Sequence, residues 1–250
     1  RALREAGCAA VAITGGDNPA VQGQALDWLD TLHARGWLAL PRLDTPHTHG
    51  TGCTFATSAA AALALGFVAA DALVLAKMAT AHALRHGRAA GRGAGPVIAQ
   101  PGFGLDPTLM PRLSWGEAPR FVTSSPAPHT AEPIGLYALI DDAQRTAPLL
   151  ALGVRTLQLR IKQSPPPREA VQHFVQQCRS AGAMGYVNDH WQLAIDCNAQ
   201  GVHLGQEDVL ALGEAGREHL LACGLALGMS SHSLWELARA RALNPRYIAC

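Results

Sequence analysis

In Thr156-Leu-Gln-Leu-Arg-Ile-Lys162, the polar residues Gln158, Arg160 and Lys162 occupy alternate positions. Asn188-Asp189 and Gly201-Val-His-Leu-Gly-Gln-Glu-Asp208 close two later apolar runs. Two fixed cations beside two carboxylates suit a magnesium-bound diphosphate ester. Arginine forks onto phosphate oxygens, lysine adds a point charge, and carboxylates hold a metal that also bridges to the phosphates. If 156–162 is one strand, its period of two sends all three polar side chains to one face. Burying two cations costs several kcal/mol each unless anions meet them. The same alternation also describes an edge strand with a solvated polar face. Asp189 and Asp208 supply the anions that favour the functional reading. They lie nineteen residues apart, which is one strand-to-strand step in this part of the chain.

The elements that must carry these residues recur at roughly twenty-residue spacing. Strand-like runs at 136–140, 156–162, 185–188, 201–204, 225–229 and 247–250 alternate with helical stretches, which is serial βα construction around a parallel sheet. An open doubly wound sheet gathers its site at one switch point, whereas a barrel collects loops from consecutive strands on one rim. Polar signals follow four strands in succession: Arg160 and Lys162, Asn188 and Asp189, Gln206 to Asp208, and Ser230. A (β/α)8 barrel is therefore expected. Such a barrel takes eight strands and at least about 200 residues, and only about 115 follow Leu136, so about six strands of a longer protein's barrel are expected.

The first part of the chain has a different grammar. An apolar strand ends in Thr14-Gly15-Gly16, a strand pair falls near Ala25 to Leu40, and alanine-rich helices fall near Cys53 to Leu65 and Ala69 to His86. Between the helices and the βα repeat lies a linker-like stretch, where seven of the sixteen prolines fall between Pro101 and Pro133. In His47-Thr-His-Gly-Thr-Gly-Cys-Thr54, Gly50 and Gly52 let backbone N–H groups converge at a helix start, and the helix field adds positive character. That is an anion cradle suited to a phosphoryl group. A lone Gly-Thr-Gly is also a common turn before a helix.

Thr-Gly-Gly followed some thirty residues later by Thr-His-Gly-Thr-Gly-Cys-Thr is more specific. The pair resembles the C-terminal part of hydroxymethylpyrimidine (phosphate) kinases of the ribokinase-like superfamily. The resemblance spans residues 1–105 and implies part of a ribokinase-like α/β domain. It places Gly50, Thr51, Gly52 and Cys53 at the anion hole, with Cys53 catalytic in the place of an aspartate. Thr14, Gly15 and Gly16 would lie near the nucleotide, with ATP as co-substrate. His47 stands where such kinases usually carry asparagine. The N-terminal half that would hold the pyrimidine pocket is not in this sequence.

Residues 135–250 resemble thiamine-phosphate synthase through Gln-Leu-Arg-Ile-Lys162, Val-Asn-Asp189, Gly-Val-His-Leu-Gly-Gln-Glu-Asp208 and Gly-Met-Ser-Ser-His232. Residues 106–134 form the linker. In that family a pyrimidine diphosphate loses pyrophosphate, and the nitrogen of a thiazole phosphate captures the carbocation. The resemblance implies Arg160 and Lys162 opposing charge on the leaving group, Mg2+ on Asp189 and Asp208, Asn188 and Ser230 donating to the diphosphate, and Gln158 and His203 lining the pyrimidine. Glu207 reads as a solvated residue of a helix's first turn, His232 as a helix cap, and Tyr186 and Trp191 as packing. The family's thiazole phosphate loops would lie beyond Cys250. A thiazole tautomerase, or a module that only binds a thiamine precursor, are the alternatives; the four charged residues argue against the tautomerase.

Composition bounds the partners. A net charge of +1 and 5% aromatic content give no electrostatic footprint for nucleic acid, and no apolar run reaches membrane-spanning length. Six cysteines without a CxxC pair suit a reducing cytoplasm. Small-molecule substrates are expected, with a homo-oligomer left open.

Overall fold

A computed structural model describes residues 2–18, 21, 23–122, 133–163 and 166–250. The chain divides into two compact units, Arg1–Val122 with His232–Ala242, and Thr123–Ser231 with Leu243–Cys250.

The first unit begins with the short helix α1 (Ala2–Glu5) and continues through β1 (Val11–Gly15), β2 (Gln24–Asp30) and β3 (Arg35–Pro41). Helices α2 (Thr51–Ala64) and α3 (Ala69–Arg85) follow, and then β4 (Arg112–Leu113). The four strands form an antiparallel sheet in sequential order. Trp28 faces Trp37 across β2 and β3, with ring centroids 5.1 Å apart edge to face, a pairing that adds to the area both rings bury. Alanine has the strongest helix propensity, and its small side chain lets α2 and α3 approach closely. Leu29 and Leu38 from the sheet, Val74 from α3, and Leu109 and Leu113 close this core. The last two belong to the proline-rich stretch read above as linker. Its first part is thus folded: β4 pairs with β3, and Leu109 and Leu113 are buried. Residues 123–132 of that stretch lie outside the described residues.

The second unit holds β5 (Tyr137–Ile140), α4 (Thr146–Ala151), β6 (Thr156–Leu159), α5 (Arg168–Ser180), β7 (Met184–Asn188) and α6 (Trp191–Asp196). It continues through β8 (Gly201–Leu204), α7 (Gln206–Ala211), α8 (Gly213–Ala222), β9 (Ala226–Ser230) and β10 (Tyr247–Ala249). The intervening helix α9 (Leu234–Arg241) belongs to the first unit. There Asp71 of α3 accepts a hydrogen bond from the Trp235 N–H at its first turn, at 2.8 Å.

All six strands of the second unit are parallel and paired in chain order, which is the winding of a (β/α)8 barrel rather than of a doubly wound sheet. Six strands laid flat would hold β5 and β10 about 24 Å apart at ~4.8 Å per strand. Instead the Tyr137 and Tyr247 rings, one on each edge strand, lie 5.3 Å apart. The sheet is therefore curled, as six strands of an eight-stranded barrel must be. Glycines make room inside the curl. A Cβ on Gly201 would come within 2.6 Å of the Tyr186 ring, and one on Gly228 would overlap the Tyr247 ring. β6 and β8 are buried at every position, as expected for parallel strands covered on both faces. Helix α5 supplies one cover through Val171, Phe174, Val175 and Cys178; burial pushes the Cys178 thiol up to about 12.

One expectation needs correction. The strand carrying the polar stripe ends at Leu159, not at Lys162. Gln158 alone of the three lies within it and is buried, whereas Arg160 and Lys162 are exposed in the segment that follows. The run breaks because one residue past the strand the chain leaves the sheet. The Arg160 N–H still pairs with the Ile140 carbonyl at 2.7 Å, and a bend follows. The cations thus escape the cost of burial by leaving the sheet.

Candidate functional site

In the first unit the loop before α2 is pinned from both sides. His49 donates to Gly95 and accepts from Val97 through its backbone, at 3.1 and 2.9 Å, and the His47 ring accepts the Gly95 N–H at 3.2 Å. Gly50, at the helix cap, has φ of 89°, a left-handed conformation that costs any residue with a Cβ roughly 1–2 kcal/mol. The Thr51 N–H is taken by the Thr48 carbonyl at 3.3 Å and the Thr54 N–H by that of Gly50 at 2.9 Å, so Gly52 and Cys53 lie where a helix start carries its orphan donors. Thr14, Gly15 and Gly16 from the end of β1 line the same cleft as Thr51 and Gly52, a space of about 1010 Å3. The structure thus brings the two glycine-bearing segments to one cavity. Gly50 and Cys53 are not among its lining residues, and Cys53 is an exposed free thiol.

Two residues of this cleft were not anticipated. Lys77 of α3 and Asp27 of β2 form a buried ion pair at 2.7 Å. The ammonium also donates to the Ala25 carbonyl at 2.9 Å, and the other Asp27 oxygen accepts the Gly15 N–H at 3.0 Å. Burial lowers the Lys77 pKa against the opposing pull of Asp27. A usable signal was present: the chain has only two lysines, Lys77 and Lys162, against eighteen arginines, and Lys77 sits amid the apolar positions of an alanine-rich helix.

In the second unit the candidate residues gather at the C-terminal ends of consecutive strands, the rim that bears the chemistry of such barrels. Arg160 follows β6, Asn188 ends β7 and Asp189 follows it, His203 lies in β8, Asp208 is in α7, and Ser230 ends β9. Asp189 adopts a left-handed backbone with φ of 63°, a conformation for which aspartate is enriched. Its N–H donates to the His203 carbonyl at 2.9 Å and its carbonyl accepts from Trp191 at 3.0 Å, so the residue is fixed across the β7–β8 seam. The Asp208 Oδ2 accepts the Gly205 N–H at 2.9 Å, orienting the carboxylate.

The charges act on one another. The Asp189 carboxyl is held above the usual carboxylate range, first by desolvation where protein crowds it and then by Asp208; Arg160, His190 and a hydrogen bond from Asn188 pull the other way. His203, 7% exposed, is pushed below the ordinary histidine range by burial and then by Arg160, against Asp208. Arg160, Asp189, Asp208 and His203 therefore share one electrostatic field. Lys162, exposed in the bend, is absent from the neighbours that shift Asp189 or His203. Glu207 is exposed in the first turn of α7, Tyr186 is buried and Trp191 meets His219 edge to face at 5.6 Å. Ser233, not His232, caps α9, accepting the Glu236 N–H at 3.3 Å.

Two hard carboxylates of neighbouring strands beside a guanidinium fit a Mg2+ ion that completes its shell with water and phosphate oxygens. Among the described residues no group of three or more His, Cys, Asp or Glu side chains could hold a metal ion, so substrate and water would have to supply the remaining ligands. Also among them, no helix is long and apolar enough to cross a membrane.

Sequence reading missed Tyr137 and Tyr247, which lie inside the curl beside these residues. A tyrosine in an apolar strand gives no sign of whether its hydroxyl is engaged.

Comparison with known proteins separates the same two segments. Residues 136–250 match the family model for thiamine monophosphate synthase and residues 1–98 that for phosphomethylpyrimidine kinase. A thiamine-phosphate synthase of Serratia proteamaculans is 44% identical over 130 residues, covering 50% of this chain and 59% of that protein. One from Photorhabdus laumondii is 41% identical over 128 residues, covering 50% and 58%. The chain therefore spans just under three-fifths of these relatives' length. Among solved structures, a thiamine phosphate pyrophosphorylase from Pyrococcus furiosus aligns with a TM-score of 0.40 at 27% identity, over 46% of this chain and 58% of that one. The pyridoxal kinase of Staphylococcus aureus in complex with ADP aligns with a TM-score of 0.36 at 28% identity, over 38% and 35%.

Proposed function

We propose, for a chain whose residues 136–250 match the thiamine monophosphate synthase family model and whose residues 1–98 match that of phosphomethylpyrimidine kinase, that it serves thiamine biosynthesis at two successive steps. The first segment takes part in ATP-dependent phosphorylation of hydroxymethylpyrimidine phosphate. The second takes part in coupling the resulting diphosphate to thiazole phosphate, giving thiamine phosphate and pyrophosphate. The observation that supports this reading best is the shared field of Arg160, Asp189 and Asp208 at the ends of adjacent strands.

The residues divide the work by their chemistry. Arg160 meets negative charge that grows on the departing diphosphate, an interaction strengthened as the C–O bond breaks. Asp189 and Asp208 would hold Mg2+, which neutralises the phosphate oxygens when bound. His203, neutral and buried, and Gln158 form the wall beside the reacting ring. In the first segment, the Gly50-Thr51-Gly52 turn faces the transferred phosphoryl group, with Thr14, Gly15 and Gly16 near the nucleotide and Cys53 at the helix start. On this reading residues 1–105 are the kinase part, 135–250 the synthase part, and 106–134 the stretch between them.

Calorimetric titration of the chain with pyrophosphate, with and without Mg2+, tests the coupling half. Binding is expected to require Mg2+. Arg160→Ala is expected to weaken it about 10–100-fold, the equivalent of one or two charge-assisted hydrogen bonds, and Lys162→Ala by less. An equal loss at both positions, or binding indifferent to Mg2+, would sink the assignment. For the kinase half, Cys53→Ala should depress ATP-dependent phosphorylation and leave pyrophosphate binding at wild-type strength; loss of both would refute separate sites.

A further inference from the structure

Six side chains, one from each strand of the curled sheet, form an unbroken hydrogen-bonded series. Asn188 Oδ1 contacts Gln158 Nε2, and Gln158 Oε1 contacts the Tyr137 hydroxyl at 3.0 Å. The Tyr137 hydroxyl meets that of Tyr247. The Tyr247 hydroxyl meets His203 Nδ1 at 2.7 Å, and His203 Nε2 meets Ser230 Oγ at 2.8 Å. Each hydroxyl has a single hydrogen, and a neutral imidazole has one donor and one acceptor nitrogen. Once one link has a direction, every other link follows. Only two arrangements are self-consistent, and they are mirror images in donor and acceptor.

The end of the series selects between them. Asn188 presents its Oδ1 to the Gln158 Nε2 at 2.5 Å, so the amide at this end accepts. Gln158 then donates its Nε2–H to Asn188 and accepts from Tyr137, so Tyr137 must accept from Tyr247. Tyr247 must accept from His203, and the ring's free nitrogen receives the Ser230 proton.

We infer that this series is a directed relay in which Asn188, through Gln158, Tyr137 and Tyr247, locks His203 as the Nδ1–H tautomer, with the Ser230 hydroxyl donating to the ring's other nitrogen. Tyr137 and Tyr247 are positioning residues: they act on the site through the imidazole. Burial holds both phenols above the ordinary tyrosine range, so each keeps the hydrogen that the relay needs. The consequence for chemistry, which rests on the reading of the site proposed above, is that the wall beside the reacting ring has one fixed pattern of donors and acceptors before any ligand enters.

Two-bond 1H–15N correlation spectra of the whole chain labelled with 15N-histidine, recorded where the rings are neutral, test the relay without substrate. The His203 signals are identified by their absence from a His203→Gln variant. The wild-type chain is expected to show His203 wholly as the Nδ1–H tautomer. An Nε2–H tautomer or a mixture would overturn the inference, and the wild-type spectrum alone settles this. Tyr137→Phe gives the sharper result. With no Tyr137 oxygen to receive it, the Tyr247 hydrogen turns to His203 Nδ1, and the ring is expected to switch to Nε2–H. A spectrum unchanged by Tyr137→Phe would show that no direction travels along the series. Neither measurement depends on pyrophosphate binding, so the relay and the proposed activity can fail separately.

Discussion

Asp208→Asn is expected to lower the affinity of the chain for Mg2+–pyrophosphate by at least about 100-fold, and to abolish Mg2+-dependent coupling wherever that activity is assayed. The magnitude follows from what carboxylates do at such a site. Removal of a mere outer partner of a metal ligand costs about 10–100-fold, and Asp208 is proposed as a ligand itself. Asp189→Asn is expected to behave alike. Asp208 raises the Asp189 pKa, so Asp208→Asn removes that repulsion and the Asp189 carboxyl should titrate closer to its ordinary value. The sign is definite: a carboxyl whose pKa is raised in the fold is strained in its ionised form. Neutralising its neighbour should therefore stabilise the metal-free chain as pH rises through the carboxylate range, while binding is lost. Carbon-detected titration of the Asp189 carboxyl and calorimetry of the same variant measure both. Retained affinity within about tenfold, or an Asp189 titration that does not move, would remove the basis for placing the two carboxylates on one ion.

The nearness of Asp189 and Asp208 on one rim was legible in the sequence because it depends on repetition. Nineteen residues between Asp189 and Asp208 match one βα step, and a parallel sheet wound in chain order turns equal steps into adjacent positions on one rim. The turn before α2 was legible from its glycines: Gly50 stands where only a residue without a Cβ holds φ of 89° at low cost. What the sequence could not show is where a pattern stops. The alternation in 156–162 continues past the last strand residue, and only the pairing with β5 determines that the sheet ends at Leu159. Nor does local composition reveal that Leu109 and Leu113, amid prolines, complete a core formed largely from residues before Arg85. The relay is the extreme case. It draws on six strands, and nothing local distinguishes Tyr247 from an ordinary core aromatic until β10 is curled back toward β5.

Lys77→Met is expected to destabilise the first unit by about 3–5 kcal/mol, the characteristic effect of leaving one member of a buried ion pair without its partner. Lys77 and Asp27 are 5% and 7% exposed, so water can do little to solvate the carboxylate left behind. The methionine thioether also leaves the Ala25 carbonyl without its side-chain donor. The damage should reach the cleft, because the same aspartate holds the Gly15 N–H beside the segment proposed to meet the nucleotide. The cycle is completed by Asp27→Asn, which removes the negative charge but keeps an oxygen for Gly15. Lys77→Met/Asp27→Asn is therefore expected to recover at least about 1.5 kcal/mol of the loss, since a neutral amide is far less costly to bury than an unpaired carboxylate. Urea unfolding followed by tryptophan fluorescence reads the relevant transition, because Trp28, Trp37, Trp115 and Trp235 all belong to the first unit. A single variant that loses less than about 1 kcal/mol, or a double variant no more stable than the single, would mean that the charges of Lys77 and Asp27 are not coupled. Only a coupled pair explains why one of two lysines in the chain is enclosed where an alanine-rich helix could have placed another methyl group.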